Sequence, residues 1–552
     1  MKSNFFNNIF KYKEKDNYEF ILPNSSNNIN KNEFESSSNP VSFNINENIE
    51  FLNSKYNILI NSDIKIRKFE LNINKKSIPA FLIYIDGMVS DSNINNYILK
   101  PFLLKNSISM THTNQIISKI QVKDFDLKEF LYSSLIPQNN VILENNFNEI
   151  VSKINTGFCG LFVQNINTCF CIEVRGYKFR DDLSEPTSES VLRGSHEGFV
   201  ENLRTNTSLL RRIINNEKLI IEQINVGKIS KTPVAICYIK DITNDDLVSE
   251  IKYRISNLQI DYLISSGQLE QFISDNYSSS SPQIITTERP DKTANYILLG
   301  RIAILVNGSP FSLIVPSCLI DFLTSSEDFN LNYIYSNFLR ILRLVALISA
   351  LLVPGLYIAI TTYHFELIPS ELLFAIISAR NAIPFPIFFE ILIMEISFEL
   401  IQEASLRSTS SFSTTVGIIG ALILGDAAVS ANIVSPILII IVAYSGICAF
   451  AVPDNSLRFS IRMFRFIYII LGYIAGFLGI AFGLFIHLLF LTNQSSFGIP
   501  FFSPYIPFSD LSKNENIIIN PVWKRETRNV SLNTKKPEAE NHISMEWRQN
   551  GK

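Results

Sequence analysis

Between residues 338 and 492 the chain is built mostly of Ile, Leu, Phe, Ala and Gly, in runs long enough to cross a bilayer. No other feature restricts the fold as much, because about 20 consecutive apolar residues suffice to span the hydrocarbon core. The first run, NFLRILRLVALISALLVPGLYIAITTY, starts at Asn337 and carries Arg340 and Arg343 at its head. Pro354-Gly355 is expected to kink it. HFELIPSELLFAIISARNAIPFP is shorter and broken by Pro369, Pro384 and Pro386, which fits an interfacial or re-entrant position. SFSTTVGIIGALILGDAAVSA is rich in small residues that let membrane helices approach closely. IVSPILIIIVAYSGICAFAVP reads as a further span, PDNSLRFSIRMFR as a basic loop and FIYIILGYIAGFLGIAFGLFIHLLFL as a long last span. The expectation is an α-helical transmembrane domain of four to five spans over 331–492.

Residues 386–407, PIFFEILIMEISFELIQEASLR, set the functional question for that domain. The stretch is apolar enough to enter a bilayer, yet it carries Glu390, Glu395, Glu399 and Glu403. Ionisable groups at membrane depth are costly and mark function by default. On a helix, Glu395, Glu399 and Glu403 fall within an arc of roughly 80°, and Glu390 lies off it. That face suits water, ions or a basic partner, and the remainder suits lipid or protein. An amphipathic helix at a membrane surface or in a soluble core would show the same stripe.

Ahead of the apolar region, residues 1–330 are polar and rich in Asn, Ser and Lys. The first 47 hold too few apolar residues to offset chain entropy, which predicts disorder. Residues 48–150 read as one small α/β domain and 151–330 as a second, each of cytosolic type. KIRKFELNI and AFLIYIDGM are expected strands. GFCGLFVQ and TCFCIEVR form an expected hairpin, and Asn307-Gly308 marks another tight turn. The fold class is therefore a multidomain α+β membrane protein with two small α/β domains before the helical one, and a polar, Pro-containing tail over 493–552.

A formal charge of −3 gives no footprint for nucleic acid. Six cysteines without a CxxC pair are expected as buried free thiols, which fits a reducing compartment. MKSNFFNNIFKYKEKD lacks the apolar core of a secretory signal, so insertion is expected to use the internal runs. Arg340/Arg343 and Arg458/Arg462/Arg465 favour the cytoplasmic side, placing the N-terminal domains inside. Five spans would put the tail outside, whereas its own Lys and Arg favour the inside and an even count.

There is no P-loop, HExxH, GxSxG or dinucleotide fingerprint, so neither an enzyme nor a cofactor nor a metal site is expected. The stretch from Arg193 to Gly198 reads as a Gly-flanked turn opening a helix near Ser195-His196, a geometry that can hold an anion. Arg193, Glu197, Arg204 and Arg211 are candidates there, with an interdomain salt-bridge network as the competing reading. Asp426 lies between apolar segments, at a membrane edge or beside an ion path. His487 in the last run fits a packed, hydrogen-bonded residue better than a proton relay.

ESVLRGSHEGFVENLRTNTSLLRRII, RPDKTANYILLGRIAILVNGSPFSLIVP, YHFELIPSELLFAI, IPFPIFFEILIMEISFELIQEASLR, VGIIGALILGDAAVSANIVSPILIIIVA and SPYIPFSDL together resemble the A subunit of GerA-type spore germinant receptors. The sequence departs from that pattern at Gln402, where arginine is usual, at Ser405, where glycine is usual, and at Asp426 and Thr409. The resemblance implies a receptor subunit in the spore inner membrane, with transporter-like B and lipoprotein C partners and membrane lipid around it. It implies that A subunits oligomerise into a nutrient-gated cation channel. Glu395, Glu399, Glu403 and Asp426 are then the candidate ion path, because rings of Glu attract cations. A secondary transporter would show inverted repeats, which 338–492 does not. A membrane-tethered signalling protein is the remaining alternative.

Overall fold

The computed structural model describes residues 39–73, 76–104, 127–176, 185–277, 279–407, 417–418, 420, 422–506, 518–525 and 527–539. Of the tail expected to be disordered, residues 39–47 fall within these, and they are ordered. The Val41 N–H donates to Asn145 O at 2.9 Å. Asn44 caps helix α1 (Ile45–Tyr56) by accepting from the Asn46 N–H.

The first unit is a five-stranded sheet in the order β1-β2-β4-β5-β3, with β1 Ile64–Ile73, β2 Lys76–Ile85, β3 Val141–Glu144, β4 Phe158–Val163 and β5 Cys169–Glu173. Helices α1 and α2 (Phe147–Asn155) cover one face, and the helical stretches 91–104 and 127–135 pack on the other. Placing a domain boundary at 151 is therefore wrong. The β4–β5 hairpin was expected to open the second domain, but it completes the first sheet. The reason is β2. Its residues Ala80–Ile83 are buried, so it needs a partner on each edge: β1 supplies one and β4 the other, with Phe81 opposite Phe162.

The second unit repeats the plan with sheet order β6-β7-β9-β10-β8: β6 Leu219–Val226, β7 Thr232–Ile239, β8 Ile285–Thr287, β9 Ile302–Val306 and β10 Ser312–Val315. Its helices are α3 Leu203–Ile213, α4 Asp245–Ser256, α5 Ser266–Ile273, α6 Pro290–Leu298 and α7 Leu319–Leu323. Every strand pair in both sheets is antiparallel, so the units are α+β rather than α/β with parallel crossovers. All six cysteines are buried free thiols.

An apolar helical bundle follows, and two of its helices are long and apolar enough to cross a membrane: α8 Tyr333–Tyr363 and α12 Asn455–Thr492. Between them lie α9 Ser370–Arg380, α10 Ile387–Arg407 and α11 Pro436–Phe450. The base of α8 is fastened to the second unit by Asp328, whose buried carboxylate accepts from Arg340 Nε at 3.1 Å and Arg343 Nη1 at 2.7 Å. Pro354 lies inside α8 without ending it. Neither the basic loop nor the uninterrupted last span is found. Residues 458–465 form the first turns of α12, capped by Asp454 through the Leu457 N–H. The helix then breaks at Ala475 and Gly476, where Gly476 takes φ 55°.

The break reverses the chain. Tyr468 and His487 are 19 residues apart, some 28 Å along a straight helix at about 1.5 Å per residue, yet the Tyr468 hydroxyl and His487 Nδ1 lie 3.0 Å apart. Segment 455–474 therefore runs away from the α+β units and 477–492 runs back. The Tyr363 hydroxyl donates to the Tyr473 and Ile474 carbonyls at the far end, and Gln494 Nε2 donates to Ser279 Oγ at the near end. The described part of the tail then lies along the second unit. Phe501 packs on Phe322, Lys535 N–H donates to Ile242 O, and Asn337 at the base of α8 bonds the backbone of Ile519.

Candidate functional site

Helix α10 descends beside 455–474 of α12, which rises, so acids of one meet bases of the other in antiparallel register. Glu395, fully buried, accepts from Arg465 Nη1 at 2.7 Å and from the Ser445 hydroxyl of α11 at 3.4 Å. Arg465, also buried, donates through Nε to Ala350 O of α8 at 3.1 Å. One turn along, Glu399 is paired with Arg462, whose Nε lies at 2.7 Å. Four residues on α10 and three on α12 both advance about one turn. The same register carries Glu403 toward Arg458, but among the described residues no bond joins these two. Glu403 is exposed, and Arg458 instead donates through Nη2 to Val452 O at 2.8 Å and lies over the Phe450 ring.

Glu390, off the stripe, is buried at the far end. It accepts from Arg380 Nε of α9 at 3.4 Å and from the Ser435 N–H at the start of α11 at 3.3 Å. The apolar side of α10, with Ile387, Ile391 and Met394, packs on Leu438 and Val442 of α11 and on Ile358 of α8. Asp426 is exposed in the segment before α11. Of the four candidate ion-path residues, two are thus held by arginines inside the chain and two face outward. Arg380, Ser445, Arg462 and Arg465 were not singled out as partners from the sequence. The signal was present in the spacing: 458, 462 and 465 fall on one face of a helix.

The arginine cluster of the second unit has a different setting. Helix α3 begins at Leu203, capped by Asn202 through the Thr205 N–H, so Arg193 to Gly198 do not open a helix. Arg193 is exposed, and its carbonyl accepts from Asn330 Nδ2. Glu197 pairs with Arg212. Arg204 reaches Asp86 of the first unit at 2.7 Å. Arg211, buried, holds Asp63 of the first unit through two bonds of 2.8 and 3.0 Å and adds Asn61 at 3.1 Å. Arg204 and Arg211 therefore clamp the joint between the two units.

A family model described as Bacillus/Clostridium GerA spore germination protein matches residues 50–531. The chain belongs to this family. Spore germination protein KA of Bacillus subtilis (strain 168) is 34% identical over 472 residues, covering 85% of this chain and 84% of its own. The membrane protein YfkQ of the same organism is 37% identical over 486 residues, covering 88% and 90%. The crystal structure of the N-terminal domain of the A subunit of the Bacillus megaterium spore germinant receptor GerK3 is 31% identical, covers 51% of this chain and 97% of its own, and has a TM-score of 0.38. The GerA match takes in both α+β units, the whole charged seam of α10 and α12, and most of the tail on the second unit.

Proposed function

We propose that this GerA-family chain is a membrane subunit of a nutrient germinant receptor, and that several copies assemble into a nutrient-gated cation channel in the spore inner membrane. B and C subunits complete the receptor, and the α+β units face the spore core. Beyond the family itself, the reading is supported by the surface of the bundle. Ile341, Val345, Ile348, Ile440, Ile447, Ile474, Leu478, Phe482 and Leu489 are exposed on it, a continuous apolar exterior suited to lipid or to further copies.

Among the described residues α8 and 455–474 lead away from the α+β units and α10, α11 and 477–492 lead back, and because the described tail packs against the second unit the reading takes an even number of crossings. An even number returns the tail to the side of the N-terminal units. Within one copy Glu395 and Glu399 are paired with buried or part-buried arginines, whereas Glu403 and Asp426 are exposed, and it is by exposure that these two are assigned to face an assembled pore. The observation that carries the reading is this division between two acids buried against arginines and two exposed ones.

The test is cation flux through assembled receptors. The double variant Glu403→Gln with Asp426→Asn is expected to reach wild-type receptor level and to release monovalent cations several-fold more slowly on nutrient addition. Unchanged release and cation preference in correctly assembled complexes would remove these residues from the ion path.

A further inference from the structure

A cavity of about 650 Å³ opens beside the charged seam, between α10, α11, the first turns of α12 and Gly417, Gly420 and Gly425 of the segment before α11. Its size falls within the roughly 300–1,000 Å³ of small-molecule sites. Met394, Phe398, Ile401 and Val442 give it an apolar body. Phe450 and Phe459, each about half exposed on the outside of the bundle, border it, so it communicates with the apolar exterior. Arg458 and the exposed Asn455 line the end nearest the α+β units.

Arg458 is the third arginine of the ladder and differs from the other two. Arg465 is held by Glu395 and Arg462 by Glu399. Among the described residues Arg458 forms no salt bridge: it makes a single hydrogen bond, to Val452 O, its Nε is buried without an acceptor, and it feels the charge of Asp454 without bonding to it. Asp454, one turn back, is engaged in capping α12 through the Leu457 N–H. A guanidinium with no carboxylate bonded to it, beside an apolar chamber, suits an anion that carries hydrocarbon.

We propose that this cavity binds an acidic phospholipid, with its phosphate on Arg458 and one acyl chain among Met394, Phe398, Ile401 and Val442. The inference rests on the membrane reading above, but not on the channel. The phosphate bonds the guanidinium of Arg458, to which no carboxylate is bonded among the described residues. The lipid fills a space against α10, the helix that carries the acids, and so couples the local lipid charge to the position of that helix.

The test uses the full chain in nanodiscs of phosphatidylcholine with a minor fraction of phosphatidylglycerol bearing a diazirine on one acyl chain. Photolysis is expected to place adducts on 394–401 and around Val442, competed by unlabelled phosphatidylglycerol and not by phosphatidylcholine. Losing a hydrogen-bonded charge pair should cost about tenfold in affinity, so Arg458→Gln should cut the labelling to about that extent. Ala443→Leu, which narrows the chamber and leaves Arg458 intact, should also suppress it. Equal labelling by a diazirine-bearing phosphatidylcholine, or labelling untouched by both substitutions, would overturn the proposal. So would chain-to-chain crosslinks at Val442 in place of lipid adducts. If a variant shifts in elution or melting, competition between the two lipids on the unmodified chain decides alone. Insertion with the predicted sidedness but no lipid preference would defeat this proposal and leave the membrane reading standing.

Discussion

At the scale of single residues, the seam is governed by the cost of isolating a charge. Glu395 and Arg465 are both buried, so removing either leaves the other without compensation, a loss of about 3–5 kcal/mol in comparable buried pairs. Glu399 and Arg462 are partly open to the surface, and breaking such a pair costs nearer 1 kcal/mol. Arg465→Ala is therefore expected to destabilise the solubilised protein far more than Arg462→Ala, read as the difference in midpoint of thermal unfolding. Equal effects would mean that the two pairs share one environment. The acid stripe itself was legible in the sequence, because costly residues at regular spacing stand out in an apolar run. Its partners were not. Arg458, Arg462 and Arg465 lie 55 or more residues further on, and a cluster of arginines before an apolar run reads equally well as a flanking loop. Only Asp454 as a cap at the head of the run marks it as helix.

At the scale of elements, close approach of helices explains the bundle. A Cβ on Gly472 would lie 2.5 Å from the Gly355 carbonyl oxygen, and one on Gly355 would lie 2.7 Å from Tyr468 O. Both obstacles are backbone, so they yield only if α8 and α12 separate. Gly472→Ala is expected to cost about 1–3 kcal/mol, the range for overpacked cores, whereas Gly417→Ala, with nothing among the described residues within 4 Å, should be silent. Melting of the two variants in detergent checks the pair, and a silent Gly472→Ala would contradict the close packing. The hairpins at 165–167 and 307–310 were legible, because turn residues and alternating apolar pairs are local signals. The sheet that the first hairpin joins was not legible: β4 pairs with β2, more than 70 residues earlier. The reversal at Ala475-Gly476 escaped for a related reason. Glycines are ordinary in membrane helices, and GYIAGFLGIAFG has no proline or polar residue to set one of them apart. Packing chooses Gly476, where a Cβ would crowd Tyr363 and His364.

At the scale of the whole molecule, one continuous apolar cluster runs from the second sheet through Phe322 and Leu323 into Ala346, Ala350, Leu457 and Ile461 of the bundle. The second unit, the base of α8, the head of α12 and the tail thus form one end of the molecule. Arg204 and Arg211 hold the first unit onto that end. Residues 365–386, with Phe365, Leu367, Leu372 and Phe374 exposed, form the other end. A change in the α+β units therefore has a direct mechanical route to the helices that carry the seam. The two-part division of the chain was legible from composition alone, but the side on which the tail lies was left open, because reading the last apolar run as one pass or as two inverts it. The proposed membrane arrangement depends on that sidedness. Single cysteines at Asn225, Lys536 and Glu371, all exposed sites, can be probed with a membrane-impermeant maleimide in sealed vesicles, since the six native thiols are buried. The account predicts that Asn225→Cys and Lys536→Cys label from one side and Glu371→Cys from the other; labelling of Lys536→Cys together with Glu371→Cys, opposite Asn225→Cys, would contradict it.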